Sequence, residues 1–220
     1  VIGPGLADRR AFILANTRLQ APPHTPELQL YLADEVTPIW RMTEEELGEI
    51  GLPPPFWAFA WAGGQALGRY LLDHPHEVAG KRVVDFATGS GIVAIAARLA
   101  GAAEVLGSDI DSFCAAAVDL NAAANGVVID FTDADLLDAA APPDAEVILA
   151  ADVFYEQPFA GRVTAWLMAA RTAGARVLIG DPRRSYFPKA ALTRLAEYRV
   201  PTTRELEDSE IKHTAVWALP

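Results

Sequence analysis

The stretch Val83 to Ala94 reads VVDFATGSGIVA. Two valines lead into an acid and a phenylalanine, a tight run carries Gly89 and Gly91, and an apolar segment of helical rhythm follows, which together predict a strand, a glycine turn and a helix start. Glycines at such a turn let backbone approach a ligand that side chains would hold away. The run GSGIVA also satisfies the glycine fingerprint of dinucleotide-binding folds, with Ala94 as its third position. The loop alone therefore predicts a nucleoside ligand without saying which.

Outward from this turn, strands and helices alternate. KRVVDF is strand-like, GIVAIAARLAG helical, AEVLGSD a strand, SFCAAAVDLNAAANG a helix with a glycine stop, and VVIDF a strand. AEVILAAD then reads as a strand, PFAGRVTAWLMAAR as a helix and ARVLIGD as a strand. Strands linked by crossover helices make a parallel sheet covered on both faces. After a short predicted helix near Pro188 to Glu197, YRVPTTRELE and IKHTAVWAL read as two strands joined by DSE, hence an antiparallel pair at one sheet edge. The fold class is α/β, doubly wound, and five parallel strands with a terminal hairpin resemble the seven-stranded, Rossmann-like class I methyltransferase fold.

N-terminal to this core, ADRRAFILANTRL from Ala7 to Leu19 predicts a helix, followed by the break APPHTP and the acidic ELQLYLADEVTPIW. TEEELGEIGLPPP leads into FWAFAWAGGQALGRYLLDHP, where Leu67, Tyr70 and Leu71 recur at helical spacing and HP closes the run. The expected division is an N-terminal helical extension over 1–60 and a catalytic domain over 61–220.

Acids mark the ends of consecutive strands. Asp85 lies four residues before Gly89, where a carboxylate would repel a pyrophosphate but would steady the loop and the ammonium of a methionine-like ligand. S-adenosylmethionine carries that ammonium and no phosphate. Asp109, 18 residues after Gly91, falls where nucleoside-binding folds use a carboxylate to accept ribose hydroxyls. Asp135, after the next strand, is placed to accept from the adenine amino group. Taken singly, each reads as a solvated turn residue. Together with Gly89 and Gly91, at carboxyl ends of neighbouring parallel strands, they converge on one crevice.

The next parallel strand ends in AADVFYEQP, Ala150 to Pro158. Placed beside the reacting methyl, this motif suits a lysine substrate. A lysine amine attacks only without its proton, and with a solution pKa near 10.4 only about 0.1% is neutral near physiological pH. A carboxylate at Asp152 would hold the incoming ammonium, while Phe154 and Tyr155 would enclose it, lowering its pKa by desolvation and favouring cations through ring faces. Asp152 is thus expected to serve both cofactor and substrate. Packing alone remains the plainer reading of Trp57, Trp61 and the two aromatics of the motif. In GDPRRSYFP, Arg183 and Arg184 are expected to rim the substrate entrance.

The whole chain sets limits. Its 220 residues, 51% hydrophobic, suffice for one well-packed domain but not for separate dinucleotide and substrate domains, which disfavours a dehydrogenase. A formal net charge of -11 makes nucleic acid a poor partner and a basic protein a better one. The single cysteine, Cys114, excludes an internal disulfide and fits a reducing, cytoplasmic setting. His24, His74, His76 and His213 lack metal-ligand spacing, so no metal is expected. The sequence predicts neither a membrane span nor a leader, and a monomer is expected.

PPPFWAFAWAGGQALGRYLLDHP, GSDID, ADVFY with its D-x-x-Y pattern, IGDPRRSYF and TAVWAL together resemble the protein lysine methyltransferases that modify the β subunit of electron-transfer flavoprotein. The resemblance runs from about Phe12 to the C-terminus. It implies S-adenosylmethionine as cofactor, a flavoprotein subunit as protein substrate, Trp61 beside the methionine part of the cofactor, and Asp152 and Tyr155 in the active site. Ala87 stands where such enzymes commonly have Gly, and Ala62 where they often have Pro. A methyltransferase for a ribosomal protein or a small amine, or a non-catalytic nucleotide-binding module, would also fit the glycine loop and its acids.

Overall fold

A computed structural model describes residues 5–34, 54–139, 143–188 and 192–220, with 37, 39 and 48. Most of TEEELGEIGLPPP lies outside the described residues. Helix α1 (Leu6–Asn16) precedes a two-stranded antiparallel ribbon of β1 (Arg18–Gln20) and β2 (Leu30–Leu32). Then follow α2 (Ala62–Asp73), β3 (Arg82–Phe86), α3 (Ile92–Leu99), β4 (Glu104–Ser108), α4 (Ser112–Ala124), β5 (Asp130–Thr132) and β6 (Val147–Ala151). The chain closes with α5 (Phe159–Thr172), β7 (Arg176–Asp181), β8 (Thr193–Pro201), the single turn α6 (Arg204–Glu207) and β9 (Ile211–Ala218).

The seven strands from β3 onward form one sheet in the order β5-β4-β3-β6-β7-β9-β8. β5, β4, β3, β6 and β7 run parallel, and β9 pairs antiparallel with both β7 and β8. Strand order reverses between β3 and β6, and a crevice opens at the carboxyl ends of strands on either side of such a switch. The parallel strands are nearly continuous apolar runs, as burial on both faces requires. One face carries Val83, Leu149 and Leu178 against α2 and α3, the other Val84, Ile148 and Val177 against α5. No helix among the described residues is long and apolar enough to cross a membrane.

Two glycines bring α2 onto the sheet. A Cβ on Gly63 would stand 2.3 Å from the carbonyl oxygen of Gly180, and a Cβ on Gly180 would stand 2.2 Å from that of Gly63. Backbone meets backbone here, which no larger residue permits.

Three expectations are corrected. The helix near Pro188 to Glu197 is not formed where it is described, because β8 begins at Thr193. Thr193 pairs with Ala218, so edge pairing overrides the local helical pattern. RELE is the helical turn α6 rather than the end of a strand. The first helix stops at Asn16, and Arg18 to Gln20 pair with β2 instead of extending it.

Candidate active site

The glycine turn is held by its own strand's acid. Asp85 Oδ2 accepts from Thr88 Oγ1 at 2.6 Å and from the backbone N–H of Ala94 at 3.1 Å, satisfying one of the amides that the first turn of α3 leaves unpaired. Burial pushes the Asp85 carboxyl up to about 7, against the pull of these two donors. Gly89 (φ 52) and Gly91 (φ 80) take left-handed conformations, and so does Ala87 (φ 54). Asp109 reaches across from β4, its Oδ2 accepting from Gly89 N at 3.0 Å and its Oδ1 from Asp111 N at 3.0 Å. Asp111 in turn caps α4 by accepting from Phe113 N at 2.9 Å.

These groups line a cleft of about 520 Å³ at the carboxyl ends of β3, β4 and β6 and beyond β5. Trp61, Asp85, Gly89, Asp109, Asp135, Asp152 and Tyr155 all face it. Gly91 is outside its lining: a Cβ there would meet Val118 Cγ2 at 3.2 Å, so this glycine permits the turn and the packing of α4 rather than ligand approach. Asp135 accepts from Leu137 N and pairs with Arg162 at 3.3 Å, an arginine of α5 that also lines the cleft.

The end of β6 differs from its sequence reading. Asp152, at φ 59, is not a free carboxylate. Its Oδ1 accepts from Arg184 Nε at 3.0 Å and Nη2 at 2.6 Å, and its Oδ2 accepts from the backbone N–H of Gly64 at 2.9 Å. Arg184 also donates to Glu207 of α6, at 2.9 Å from Nη2 and 3.4 Å from Nη1, and Glu207 accepts from Ala62 N at 3.2 Å. Two carboxylates from distant chain segments thus satisfy amides at the start of α2, with one guanidinium between them. Burial raises the Asp152 carboxyl, with Arg184 opposing, while Asp152 and Glu207 hold the Arg184 guanidinium above its ordinary value despite its own burial.

Phe154 is completely buried and meets Phe187 edge to face at 5.6 Å, so it belongs to the core and does not enclose a substrate. β6 ends at Ala151, and past the left-handed Asp152 the chain buries both Val153 and Phe154 while Tyr155, 46% exposed, stands at the cleft mouth. Tyr155 faces Phe56 and Phe159, each at 5.9 Å between ring centroids. Phe56 is half exposed, and its carbonyl accepts from Trp61 Nε1 at 3.0 Å. Trp57 stacks on Phe113 at 5.7 Å and is a packing residue. The two arginines of GDPRRSYF part company: Arg184 lines the cleft with its guanidinium 5.5 Å from the Trp61 ring, whereas Arg183 lies over Trp217. Sequence reasoning passed over Phe56, Arg162 and Glu207. The aromatic cluster FWAFAW signalled the first, and nothing local signals the other two.

With this geometry, the chain's similarities are informative. It is 37% identical over 215 residues to the electron transfer flavoprotein beta subunit lysine methyltransferase of Xenopus laevis, covering 95% of this chain and 86% of that protein. It is 34% identical to the Homo sapiens protein of the same description, covering 94% of this chain and 80% of that protein. The chain belongs to the electron-transfer flavoprotein β-subunit lysine methyltransferase family. Within this methyltransferase, residues 66–153 also match the family model described as ribosomal protein L11 methyltransferase (PrmA). That segment runs from within α2 to just past β6 and contains the glycine turn. The solved magnesium protoporphyrin IX methyltransferase of Synechocystis PCC 6803 with bound SAM shares the fold, with a TM-score of 0.51 at 17% identity over 71% of this chain and 78% of that one.

Proposed function

We propose that this methyltransferase uses S-adenosylmethionine to methylate lysine side chains of the electron-transfer flavoprotein β subunit. Convergence of Asp85, Asp109 and Asp135 with the glycine turn on one cleft supports the cofactor, because the acidic strand end suits an ammonium and repels a pyrophosphate. The volume lies within the usual range for such ligands, roughly 300–1,000 Å³. Asp85 and Trp61 would hold the methionine part, Asp109 the ribose and Asp135 the adenine amine. The cofactor supplies an electrophilic methyl group.

The chain's own work is to deliver a neutral lysine amine. Tyr155 and Phe56 flank the mouth with ring faces that fit the lysine methylenes and exclude water, so desolvation favours loss of the amine proton. Asp152, with one oxygen on Arg184 and the other on Gly64 N, fixes the wall of the channel against α2. An amine that reaches it meets a carboxylate already neutralised by a guanidinium, which weakens any hold on the charged, unreactive form.

The test is incubation of the protein with tritiated S-adenosylmethionine and three acceptors separately: electron-transfer flavoprotein β subunit, ribosomal protein L11 and free lysine. Label on the flavoprotein subunit, removed when its lysines are acetylated, is expected. Label on L11 alone, or on none, overturns the assignment.

A further inference from the structure

Asn121 is entirely buried in the last turn of α4, where a polar side chain is costly unless both its groups are paired. Both are. Its Nδ2 donates to the carbonyl of Ser90 in the glycine loop at 2.7 Å, and its Oδ1 accepts from the backbone N–H of Tyr31 in β2 at 2.7 Å. One turn later, Asn125 clamps the same strap without touching the loop: it accepts from Gln29 N at 2.9 Å and donates to Gln29 O at 2.6 Å. The strap is a short edge ribbon whose Leu30 and Leu32 are buried in the main core, and Tyr31 pairs with Leu19 across the ribbon. Ser90 is buried and lines the cleft.

We propose that Asn121 is a positioning residue that makes the N-terminal strap part of the cofactor site, by tying Tyr31 and Ser90 to one side-chain amide. A primary amide is the only short side chain with a donor and an acceptor fixed on one plane. Aspartate would keep the acceptor for Tyr31 and lose the donor for Ser90; leucine would strand both backbone groups. A ligand that settles the glycine loop therefore settles Tyr31, and by linkage an ordered strap tightens ligand binding. The inference rests on the cleft being the S-adenosylmethionine site.

The experiment combines residue-resolved amide hydrogen exchange with titration of S-adenosylhomocysteine. In the wild type, the ligand is expected to slow exchange at Tyr31. Asn121→Asp is expected to weaken S-adenosylhomocysteine by ~10-fold, as for a buried acceptor left unpaired, and to abolish the slowing at Tyr31. Asn125→Ala, which removes the Gln29 clamp and leaves both Asn121 bonds to Tyr31 and Ser90 in place, is expected to lower the melting temperature comparably while changing affinity by less than about 2-fold. Equal affinity losses in the two variants, or unchanged Tyr31 exchange in liganded wild type, overturn the coupling. The wild-type exchange measurement decides the matter even if Asn121→Asp does not fold. Absence of S-adenosylhomocysteine binding by wild type overturns the cofactor assignment itself, and the coupling with it, whereas normal binding with silent Tyr31 overturns the coupling alone.

Discussion

Asp152 accepts two hydrogen bonds on one oxygen from a single guanidinium, that of Arg184, while its other oxygen caps Gly64 at the start of α2. The carboxylate that ends β6 is therefore a joint between sheet, helix and cleft, and its removal acts on all three. Asp152→Ala is expected to lower turnover by about 100-fold or more, the scale of a misplaced reacting group, and to cost roughly 3 kcal/mol of stability because Arg184 is left half-paired. Methylation rates and melts on the same preparation separate the two. Normal activity per folded molecule would show that the joint is structural only. Tyr155→Phe is expected to keep most activity and Tyr155→Ala little, since the ring face lines the mouth.

Asp109 holds the loop as well as facing the cleft. Asp109→Ala is expected to weaken S-adenosylhomocysteine by about 1.5–3 kcal/mol, the scale for hydrogen bonds to a charged group. Because Gly89 N and Asp111 N lose their acceptor, a fall in melting temperature should accompany it. Calorimetry showing wild-type affinity in the folded variant would remove Asp109 from the ribose site.

The carboxyl of Asp85, pushed up to about 7 by burial, gives cofactor binding a pH dependence with a definite sign. An ammonium ligand needs the ionised form, which is scarce below that value. Affinity for S-adenosylhomocysteine should be about 10-fold weaker at pH 6 than at pH 8, in proportion to the competent fraction. Asp85→Asn should bind weakly with no such slope, and Asp181→Asn, which alters a group outside the cleft, should keep it. A flat wild-type titration would separate Asp85 from the ligand's ammonium.

The central βαβ repeats and the glycine turn were legible because each is local: valine-rich runs, a positive-φ turn at Gly89, a glycine stop at Gly126. The acids facing the cleft were legible because strand ends of a parallel sheet must converge. Arg184 between Asp152 and Glu207 was not, since its partners lie 32 and 23 residues away in sequence and meet only when β9 inserts beside β7. The burial of Phe154 beside an exposed Tyr155 is not legible in the sequence, because the strand ends at Ala151 and the left-handed Asp152 re-aims the residues that follow. Strand β8 is not legible locally, because its first residues favour helix and only pairing with β9 makes them extended.

Gly63 and Gly180 have no tolerance for a side chain. Gly63→Ala places a methyl 2.3 Å from backbone oxygen and 2.5 Å from Asp152 Oδ2, so α2 must leave the sheet. A loss above about 3 kcal/mol, at the upper end for overpacking, is expected. Gly48→Ala, where a Cβ meets nothing within 4 Å, is the matched control. Equal denaturation midpoints for the two variants would contradict the close approach.

Asp181 provides the last test, because it is a buried acid that the cleft does not use. It is wholly inaccessible; Oδ1 accepts from Arg184 N at 2.7 Å, and Oδ2 has no partner among the described residues. Burial and then the nearby Asp152 charge raise its carboxyl from 3.8 to about 7. The folded state thus holds this proton more tightly than the unfolded chain, so its contribution to stability is greatest at low pH and declines as pH rises from about 4 to 7. Asp181→Asn cannot ionise, keeps an acceptor for Arg184 N and removes that decline. Its advantage over wild type should grow by about 1–2 kcal/mol between pH 5 and pH 8, given about 1.4 kcal/mol per unit of displacement and partial relaxation. In melting temperature that is a rise of roughly 2–8 °C at pH 8 relative to pH 5 for a chain of this size. An advantage that is constant with pH would mean that Asp181 is ionised in the folded protein throughout this range.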